Sequence, residues 1–294
     1  MFYFPLPQLC EASHNCGKSV TNTNLGIGLA RHGRKVLIAD LDSQASQTVS
    51  LGWTQPDELT ATIATQLGKL VENRPFDPRE GILHHAEGVD LMPSSIELSG
   101  LEMRMVNVMS REVVLRNYLT ELRPDYDAIV LDCPPTLGMM TINALAAADR
   151  LIVPVQPEYL SVIGMTQLFD TVALVKKNIN PGLQIEGVLI TLANMRTNLA
   201  KNTVEIIRQA YGGGIHIFQN PIPYSTKVKE SSAAGKSVFA YEPNGHAAYA
   251  YEKLSREVER NDRQIGAGRP AYAGLLAHAT WTDVRTAKAV ELSR

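Results

Sequence analysis

The chain has 294 residues, 45% of them hydrophobic, and its 28 Lys and Arg against 30 Asp and Glu give a formal net charge of −2. A chain of this length and apolar content can bury a sizeable core, which excludes a small scaffold held together by disulfides. The balanced charge excludes a uniformly basic coat for nucleic acid, so any nucleic-acid contact must come from a local basic patch.

The cysteines and the first residues of the chain predict a cytoplasmic protein. Cys10, Cys16 and Cys133 form no Cys-x-x-Cys pair, which favours a reducing compartment and argues against structural zinc. Residues 1–10 lack the basic start of a signal peptide and contain two prolines. No stretch approaches the roughly 18 consecutive apolar residues that a membrane-spanning helix needs.

In chain order, short β-branched runs alternate with longer segments of helical periodicity. Strands are predicted at residues 35–42, 89–93, 128–132, 151–155, 185–191 and 215–218. Helices are predicted at residues 18–32, 96–122, 160–179, 198–211 and 247–259. Strands that arrive one at a time, with helices between them, favour right-handed crossovers. The prediction is therefore an α/β fold with a mostly parallel, twisted sheet flanked by helices.

Three segments are predicted along the chain. Residues 1–16 form an atypical N-terminal segment foreign to the fold, because Pro5 and Pro7 each remove a hydrogen-bond donor from what should be a central strand. Residues 17–260 form the α/β domain. Residues 261–294 form a C-terminal extension that is expected to be mobile or weakly docked, with a linker-like composition at 264–270.

The strongest candidate for a functional motif is Gly17-Lys18-Ser19, at the start of a predicted helix. A glycine before a lysine lets backbone N–H groups surround a phosphate, the lysine supplies charge, and the serine hydroxyl can ligate Mg²⁺. The first glycine of the usual phosphate loop is absent, since Ala12 stands at its position. The alternative interpretation is an exposed turn with a capping serine, and a second triplet, Gly235-Lys236-Ser237, is a candidate for that role.

Carboxylates at two strand ends favour the phosphate-binding interpretation. Asp40 and Asp42 end one hydrophobic strand pattern, and Asp132 ends another. Open parallel sheets bind ligands at the carboxyl ends of their strands, and an aspartate at such an end can hold Mg²⁺. The alternative is an aspartate that only caps the next turn. The combination predicts a site of the P-loop NTPase kind.

Several further motifs carry a family resemblance, and they occur in a fixed order along residues 17–259. They are Asp40-Leu-Asp-Ser-Gln44, Asp132-Cys-Pro-Pro-Thr-Leu-Gly138, Ile152-Val-Pro-Val-Gln-Pro-Glu-Tyr159, and Ile222-Pro223 followed by Lys229-Glu230 and Gly235-Lys236. With these motifs the chain resembles the ParA/Soj partition ATPases of the deviant Walker-A class. The resemblance implies a nucleoid-associated switch in plasmid or chromosome partition that dimerises with ATP and binds DNA nonspecifically. It also implies a centromere-binding, ParB-like partner that stimulates hydrolysis.

The resemblance assigns roles to individual residues. Asn15, Cys16, Gly17, Lys18, Ser19 and Val20 would bind ATP, and Lys18 would also act in catalysis. Ser19 and Asp132 would organise Mg²⁺, with Asp132 acting through water. Asp42 resembles the family residue that positions the attacking water, and Asp40 would support the metal shell. Gly138 would belong to the switch that senses the γ-phosphate.

The phosphate loop departs from the family pattern Lys-Gly-Gly-x-Gly-Lys-Thr-Thr. Ser13 stands in place of the signature lysine, and His14 and Asn15 replace the two glycines. The signature lysine reaches the partner's phosphates in the family dimer, so its absence removes a cation from a site that binds a polyanion. Side chains at the glycine positions also hinder close approach of the backbone. These changes predict a weakened ATPase, and the alternative is a hydrolysis-deficient adaptor that retains the fold.

A local basic region is the candidate DNA surface. Residues 196–236 contain six basic and two acidic side chains, and such a patch binds DNA in a salt-sensitive, sequence-independent way. The alternative is an ordinary solvated face. The resemblance implicates Arg196, Lys227 and Lys229, although Tyr224 stands where the family usually has arginine.

A MinD-like membrane-cycling regulator is the other candidate function, since it shares the fold and the nucleotide site. Such a protein needs a basic amphipathic helix at its C-terminus. Residues 271–294 carry three basic and two acidic side chains and a poor apolar stripe. Membrane binding is therefore not expected.

Overall fold

The computed structural model describes residues 2–5 and 17–266, which contain one central sheet of seven strands in the order β3-β4-β2-β5-β1-β6-β7. All neighbouring strands are parallel except the β3–β4 pair. The strands are β1 (Phe2–Pro5), β2 (Val36–Asp40), β3 (Leu83–His84), β4 (Asp90–Met92), β5 (Ala128–Asp132), β6 (Arg150–Val155) and β7 (Gln184–Ile190). The predicted α/β fold with a mostly parallel sheet is confirmed.

Helices cover both faces of the sheet, because alternate residues of each buried strand point to opposite sides. In β2, Leu37 and Ala39 pack in the core formed with α3 to α8, while Val36 and Ile38 pack in the core formed with α1, α9, α10 and α11. The helices are α1 (Lys18–Arg31), α2 (Ser46–Ser50), α3 (Ile63–Val71), α4 (Glu97–Met105), α5 (Val114–Leu122), α6 (Met139–Ala147), α7 (Tyr159–Asn178), α8 (Asn198–Tyr211), α9 (Thr226–Ala233), α10 (Val238–Tyr241) and α11 (His246–Gly266).

The N-terminal strand departs from the prediction. Residues 2–5 pair with β5 on one side and β6 on the other, at the centre of the sheet. Pro5 is the last residue of β1, so the donor that it lacks falls at the end of the ladder. The expectation that residues 1–16 are foreign to the fold is wrong for Phe2–Pro5. Residues 6–16, including Pro7, lie outside the described residues.

Two predicted elements have different forms in the structure. The single helix predicted at residues 96–122 is two helices, α4 and α5, separated by residues 106–113, where Ser110 has a left-handed backbone with φ of +55°. The strand predicted at 215–218 is wrong, since this segment joins β7 only through an isolated bridge between Val188 and Ile217. The antiparallel edge strand β3 was not predicted, because two residues are too short for a periodic signal.

The C-terminal helix extends beyond the predicted boundary near residue 260. Arg150 at the start of β6 is 2.6 Å from Glu186 Oε2 and 3.1 Å from Asp262 Oδ1, so a buried ion pair holds the last turns of α11 against the sheet. The helix continues through Gly266, which places the start of the predicted linker at 264–270 inside it. The extension predicted to be mobile lies outside the described residues from 267 onward. The helices that the structure describes include none with the length and apolarity needed to cross a bilayer.

Candidate nucleotide site

The phosphate-binding end of the site is the N-terminus of α1. Gly17 precedes the helix with a left-handed backbone, φ +75°, which glycine adopts without steric cost. A Cβ at this position would be 3.8 Å from Leu192 Cγ, so the backbone angle and not space makes glycine necessary. Lys18 and Ser19 begin the helix, whose free N–H groups and dipole favour an anion. Asn15 and Cys16, predicted to bind ATP, lie outside the described residues.

The metal-binding end of the site is the carboxyl end of β5. Asp132 is buried and accepts hydrogen bonds from the Ser19 hydroxyl and from Asn22 Nδ2, the latter at 2.7 Å. Ser19 and Asn22 are three residues apart on α1, so one helix face presents both donors to the strand end. The structure therefore brings together Ser19 and Asp132, the two residues predicted to organise Mg²⁺.

Asp40 lies next to Asp132 in the sheet but points its oxygens elsewhere. Its Oδ1 accepts the backbone N–H of Asp42 at 3.1 Å, and its Oδ2 accepts both the N–H and the hydroxyl of Thr48, each at 2.8 Å. The side chain is fully buried. Asp40 therefore holds α2 and the Asp42 loop in place, and its role in supporting the metal shell stays a prediction.

Burial raises the pKa values of both carboxylates. Burial, followed by the neighbouring charge of Asp132, raises the pKa of Asp40. Burial also raises the pKa of Asp132, while the hydrogen bond from Ser19 and the charge of Lys18 act in the opposite direction. Two buried carboxylates side by side disfavour their charged forms, and a cation at this position would reverse that effect.

A cavity of about 630 Å³ opens in front of these groups, and we call it the phosphate cavity. It receives Gly17, Lys18, Ser19 and Val20 from α1 and Asp42 from the loop after β2, as the sequence predicts for an ATP site. Asp42 Oδ1 accepts the N–H of Gln44 at 2.9 Å, which orients the carboxylate at the rim. The remaining lining residues are Ser43, Gln44, Ser46, Ser50, Glu102, Pro134, Pro135, Thr136 and Ser232.

Three residues at or near this cavity were not predicted from the sequence. Asn22 belongs to 21–24, four consecutive polar residues of the predicted helix 18–32, and this run was an available signal; the structure buries all four. Glu102 on α4 and Ser232 on α9 had no such signal, because only the tertiary fold brings their helices to the cavity.

The predicted DNA-binding residues lie outside the phosphate cavity. Arg196 and Lys227 line a second groove of about 830 Å³, together with Asn194, Tyr224, Glu242 and His246 among others. Lys229 is exposed beside it, with its ammonium 5.8 Å from the centre of the Tyr224 ring. Lys227 Nζ pairs with Glu230 at 2.8 Å, so part of the positive charge is neutralised locally.

The second Gly-Lys-Ser triplet is a helix cap. Gly235 has φ +63°, and the Ser237 hydroxyl accepts the N–H groups of Phe239 and Ala240 at the start of α10. Ser237 is buried and also donates its N–H to Glu87 Oε1 at 2.9 Å. The capping interpretation is therefore correct for this triplet, although the turn is not exposed at its serine.

Comparison with known proteins identifies the family. A family model described as an AAA domain matches residues 14–185. The sporulation initiation inhibitor protein Soj of Bacillus subtilis (strain 168) is 36% identical over 249 residues, which cover 83% of this chain and 94% of Soj. The chain belongs to the ParA/Soj family of P-loop ATPases. The chromosome partitioning protein ParA of Myxococcus xanthus (strain DK1622) is also 36% identical, over 248 residues that cover 84% of each chain.

Solved structures similar to this ParA/Soj family member include nucleotide complexes. Cobyrinic acid a,c-diamide synthase from Mycobacterium smegmatis, solved with an ATP analogue and magnesium, has a TM-score of 0.75 and 28% identity and covers 92% of this chain and 97% of its own. The cell division ATPase MinD of Pyrococcus furiosus has a TM-score of 0.67 at 20% identity and covers 88% of this chain and 98% of its own. At that identity the MinD likeness shows the fold alone.

The residues present fit Mg²⁺ bound together with a phosphate. Among residues 2–5 and 17–266, no three His, Cys, Asp or Glu side chains cluster to hold a metal by themselves. Mg²⁺ does not need such a cluster, because it is commonly held by one or two protein groups, phosphate oxygens and waters. Ser19 and Asp132 supply the protein groups. Asn22 Oδ1 is buried without a partner among the described atoms, which leaves an acceptor beside the site.

Proposed function

We propose that this chain binds ATP with Mg²⁺, hydrolyses the ATP, and acts as a switch in plasmid or chromosome partition. The observation that carries the proposal is the contact of Ser19, at the start of α1, with Asp132, at the end of β5. This contact joins a phosphate-binding helix terminus to a buried carboxylate. The membership of the ParA/Soj family supports the same function.

Each residue has a defined task in this mechanism. The N–H groups after Gly17 and the Lys18 ammonium bind the phosphates, while the Ser19 hydroxyl and Asp132, the latter through water, would hold Mg²⁺. Bound by these residues, Mg²⁺ would supply positive charge that neutralises the phosphates. Asp42 accepts a hydrogen bond from the attacking water and orients it. Because phosphoryl transfer needs mainly positioning and charge neutralisation, this set can support hydrolysis, and the loss of the signature lysine at Ser13 is expected to slow it.

The second groove suits the base and ribose of the nucleotide. Gly17 lies against Leu192, and the groove begins at the next residues, Ala193 and Asn194. A nucleotide whose phosphates lie at Gly17 can therefore extend into it. The Asn194 side chain offers a donor and an acceptor to an adenine edge, and the apolar face of Pro223 offers a surface for stacking.

The rim of the same groove is the proposed DNA surface, through Arg196, Lys227 and Lys229. All three side chains are exposed, and phosphate contacts by exposed cations bind DNA without sequence preference. We expect Arg196→Ala to weaken DNA retention at low salt. Unchanged retention would remove this residue from the DNA surface.

The finer parts of the proposal follow from the family. ATP-dependent dimerisation, nucleoid association and stimulation by a ParB-like centromere-binding partner are properties that we propose for this chain. A MinD-like function is tested by flotation with liposomes in the presence of ATP, and binding would favour it. An adaptor without turnover is tested by the ATPase assay below.

The test is Mg²⁺-dependent binding of a fluorescent ATP analogue, followed by measurement of phosphate release. We expect wild-type protein to bind at micromolar concentration and Lys18→Ala to lose binding, since it removes the cation that contacts the phosphates. Asp42→Ala should retain binding and lose hydrolysis. Absence of binding by the wild-type chain would contradict the proposal, and binding without hydrolysis would favour the adaptor.

A further inference from the structure

Glu102 lies on α4, outside every sequence motif of the nucleotide site, yet it contacts two parts of that site. Its Oε1 accepts a hydrogen bond from the backbone N–H of Met140 at 3.0 Å. The same side chain lines the phosphate cavity together with Pro134–Thr136. One carboxylate therefore connects α4, the start of α6 and the cavity.

The contact falls at a position where the helix needs an acceptor. Gly138 is the N-cap of α6 and has no side chain to receive the first N–H groups of the helix. Glu102 supplies that acceptor from a different helix, and its negative charge suits the positive end of the α6 dipole. The start of α6 is thus held by tertiary structure and not by its own cap.

The start of α6 in turn determines where the cavity wall lies. Residues 133–138 connect Asp132, the last residue of β5, to α6. The Thr141 hydroxyl in the first turn of α6 donates to the carbonyl of Thr136 at 2.6 Å. A shift at the start of the helix would therefore move Pro134–Thr136, which line the phosphate cavity.

We propose that Glu102 is a positioning residue for ATP hydrolysis: its hydrogen bond to Met140 holds Pro134–Thr136 in the position that turnover requires. This proposal rests on the proposed ATPase function. The hydrogen bond of Glu102 should raise the rate of hydrolysis. The negative charge of Glu102 should, separately, lower the affinity for ATP.

Two substitutions separate the acceptor from the charge. Glu102→Gln keeps an oxygen that can accept the Met140 N–H and removes the negative charge, whereas Glu102→Ala removes both. Since a carboxylate in the cavity repels phosphates, both variants should bind ATP more tightly, by about threefold. Loss of the hydrogen bond should lower kcat about tenfold in Glu102→Ala only, whereas Glu102→Gln should stay within about twofold of wild type.

The experiment measures the ATP dissociation constant and single-turnover hydrolysis for wild type, Glu102→Gln, Glu102→Ala and Glu97→Ala. Glu97 is the matched control, because it is exposed on the same helix and does not line the phosphate cavity. Glu97→Ala should leave both constants unchanged. Thermal unfolding checks that each variant is folded, and if Glu102→Ala is not, Glu102→Asp, whose side chain is too short for the contact, should show the same loss of kcat.

The outcomes distinguish failure of the positioning role of Glu102 from failure of the proposed ATPase function. Normal turnover in Glu102→Ala, or an equal loss of kcat in Glu102→Gln and Glu102→Ala, would overturn the positioning role. A wild-type chain that does not bind ATP with Mg²⁺ would overturn the proposed function itself. A rate loss confined to the variants that lose the Met140 contact would support the assignment.

Discussion

Asp40 and Asp132 are register partners at the carboxyl ends of the neighbouring parallel strands β2 and β5. Both side chains are buried, and they face different partners. Asp132 is bound by Ser19 and Asn22 of α1, whereas Asp40 is bound by Thr48 of α2 and the Asp42 backbone. The sheet thus places one carboxylate against the start of α1 and one against the loop that carries Asp42, a strand spacing apart.

The first prediction concerns Thr48, whose hydroxyl connects Asp40 to Ser94, two residues after the end of β4. Its hydroxyl donates to Asp40 Oδ2 at 2.8 Å and accepts the buried N–H of Ser94 at 3.1 Å. Thr48→Val keeps the shape and removes both hydrogen bonds, so we expect a loss of about 2–3 kcal/mol in the free energy of unfolding. Thr48→Ser keeps the hydroxyl and should lose about 1 kcal/mol. Denaturation in urea measures both, and equal losses would contradict this explanation.

The second prediction concerns Asn22, whose amide donates to Asp132 Oδ1 at 2.7 Å. Asn22→Leu removes that donor, which orients the carboxylate proposed to hold Mg²⁺, and should weaken Mg²⁺-dependent nucleotide binding about tenfold. Binding is measured by titration of Mg²⁺ at constant nucleotide.

Asn24→Leu is the control for Asn22, because Asn24 is also buried on α1 but accepts the N–H of Val238 at 2.9 Å. It should reduce stability and leave the Mg²⁺ dependence unchanged. A similar change in Mg²⁺ dependence for both variants would show that the effect comes from α1 as a whole.

Periodicity and strand-end chemistry predicted five of the seven strands that the structure describes, and they missed the central strand β1 and the edge strand β3. The strand 128–132 and the helix 198–211 agree with the structure to the residue. A short apolar run rich in β-branched residues favours a strand, and an apolar stripe at helical spacing favours a helix. The structure brings Lys18, Ser19, Asp42 and Asp132 to one edge of the sheet, as expected of strand ends and helix starts in a parallel sheet, and their roles stay predictions.

The remaining features depend on tertiary contacts that no local pattern encodes. Glu102 contacts the cavity because α4 packs against the start of α6, and Pro5 is tolerated because it lies at the end of its strand. The separation of α4 from α5 depends on the left-handed turn at Ser110, an uncommon backbone conformation for serine.

The third prediction concerns the pH dependence of the contact between His32, which follows α1, and Glu252 on α11. Glu252 Oε1 accepts Arg256 Nε at 2.7 Å and lies 3.1 Å from His32 Nε2. Burial acts in the opposite direction, but the hydrogen bonds from Arg256 and His32 lower the pKa of Glu252 below its ordinary 4.5. The stabilisation is therefore present above about pH 4.5 and is lost as the pH falls through the lowered pKa.

Glu252→Gln should cost about 0.5 kcal/mol of unfolding free energy at pH 7, a small value because solvent screens the pair. The difference from wild type should shrink as the pH falls below 4.5 and through the lowered pKa of Glu252, and chemical denaturation at a series of pH values from 7 downward measures it. Glu205→Gln is the control, since the Glu205 carboxylate accepts only the neutral amide of Gln209 among its hydrogen bonds in the described residues. A difference for Glu252→Gln that stays constant as the pH falls would show that charge is not its origin.

The fourth prediction concerns the contact between Gly52, after α2, and Gly235, after α9. A Cβ at Gly235 would lie 2.9 Å from Gly52 Cα and 3.2 Å from its nitrogen, and φ at Gly235 is +63°. Gly235→Ala therefore forces two backbones apart and strains its own, at a cost of about 2–3 kcal/mol. Gly213→Ala is the matched control, because a Cβ there meets open space.

Because α2 carries Ser50 and α9 carries Ser232, both of which line the phosphate cavity, separation of the two glycines should also widen that cavity. Gly235→Ala should consequently weaken nucleotide binding, whereas Gly213→Ala should leave both stability and binding unchanged. Thermal unfolding and nucleotide titration of the two variants measure these effects. Equal behaviour of the variants would show that the Gly52–Gly235 contact is not what holds α9 against α2.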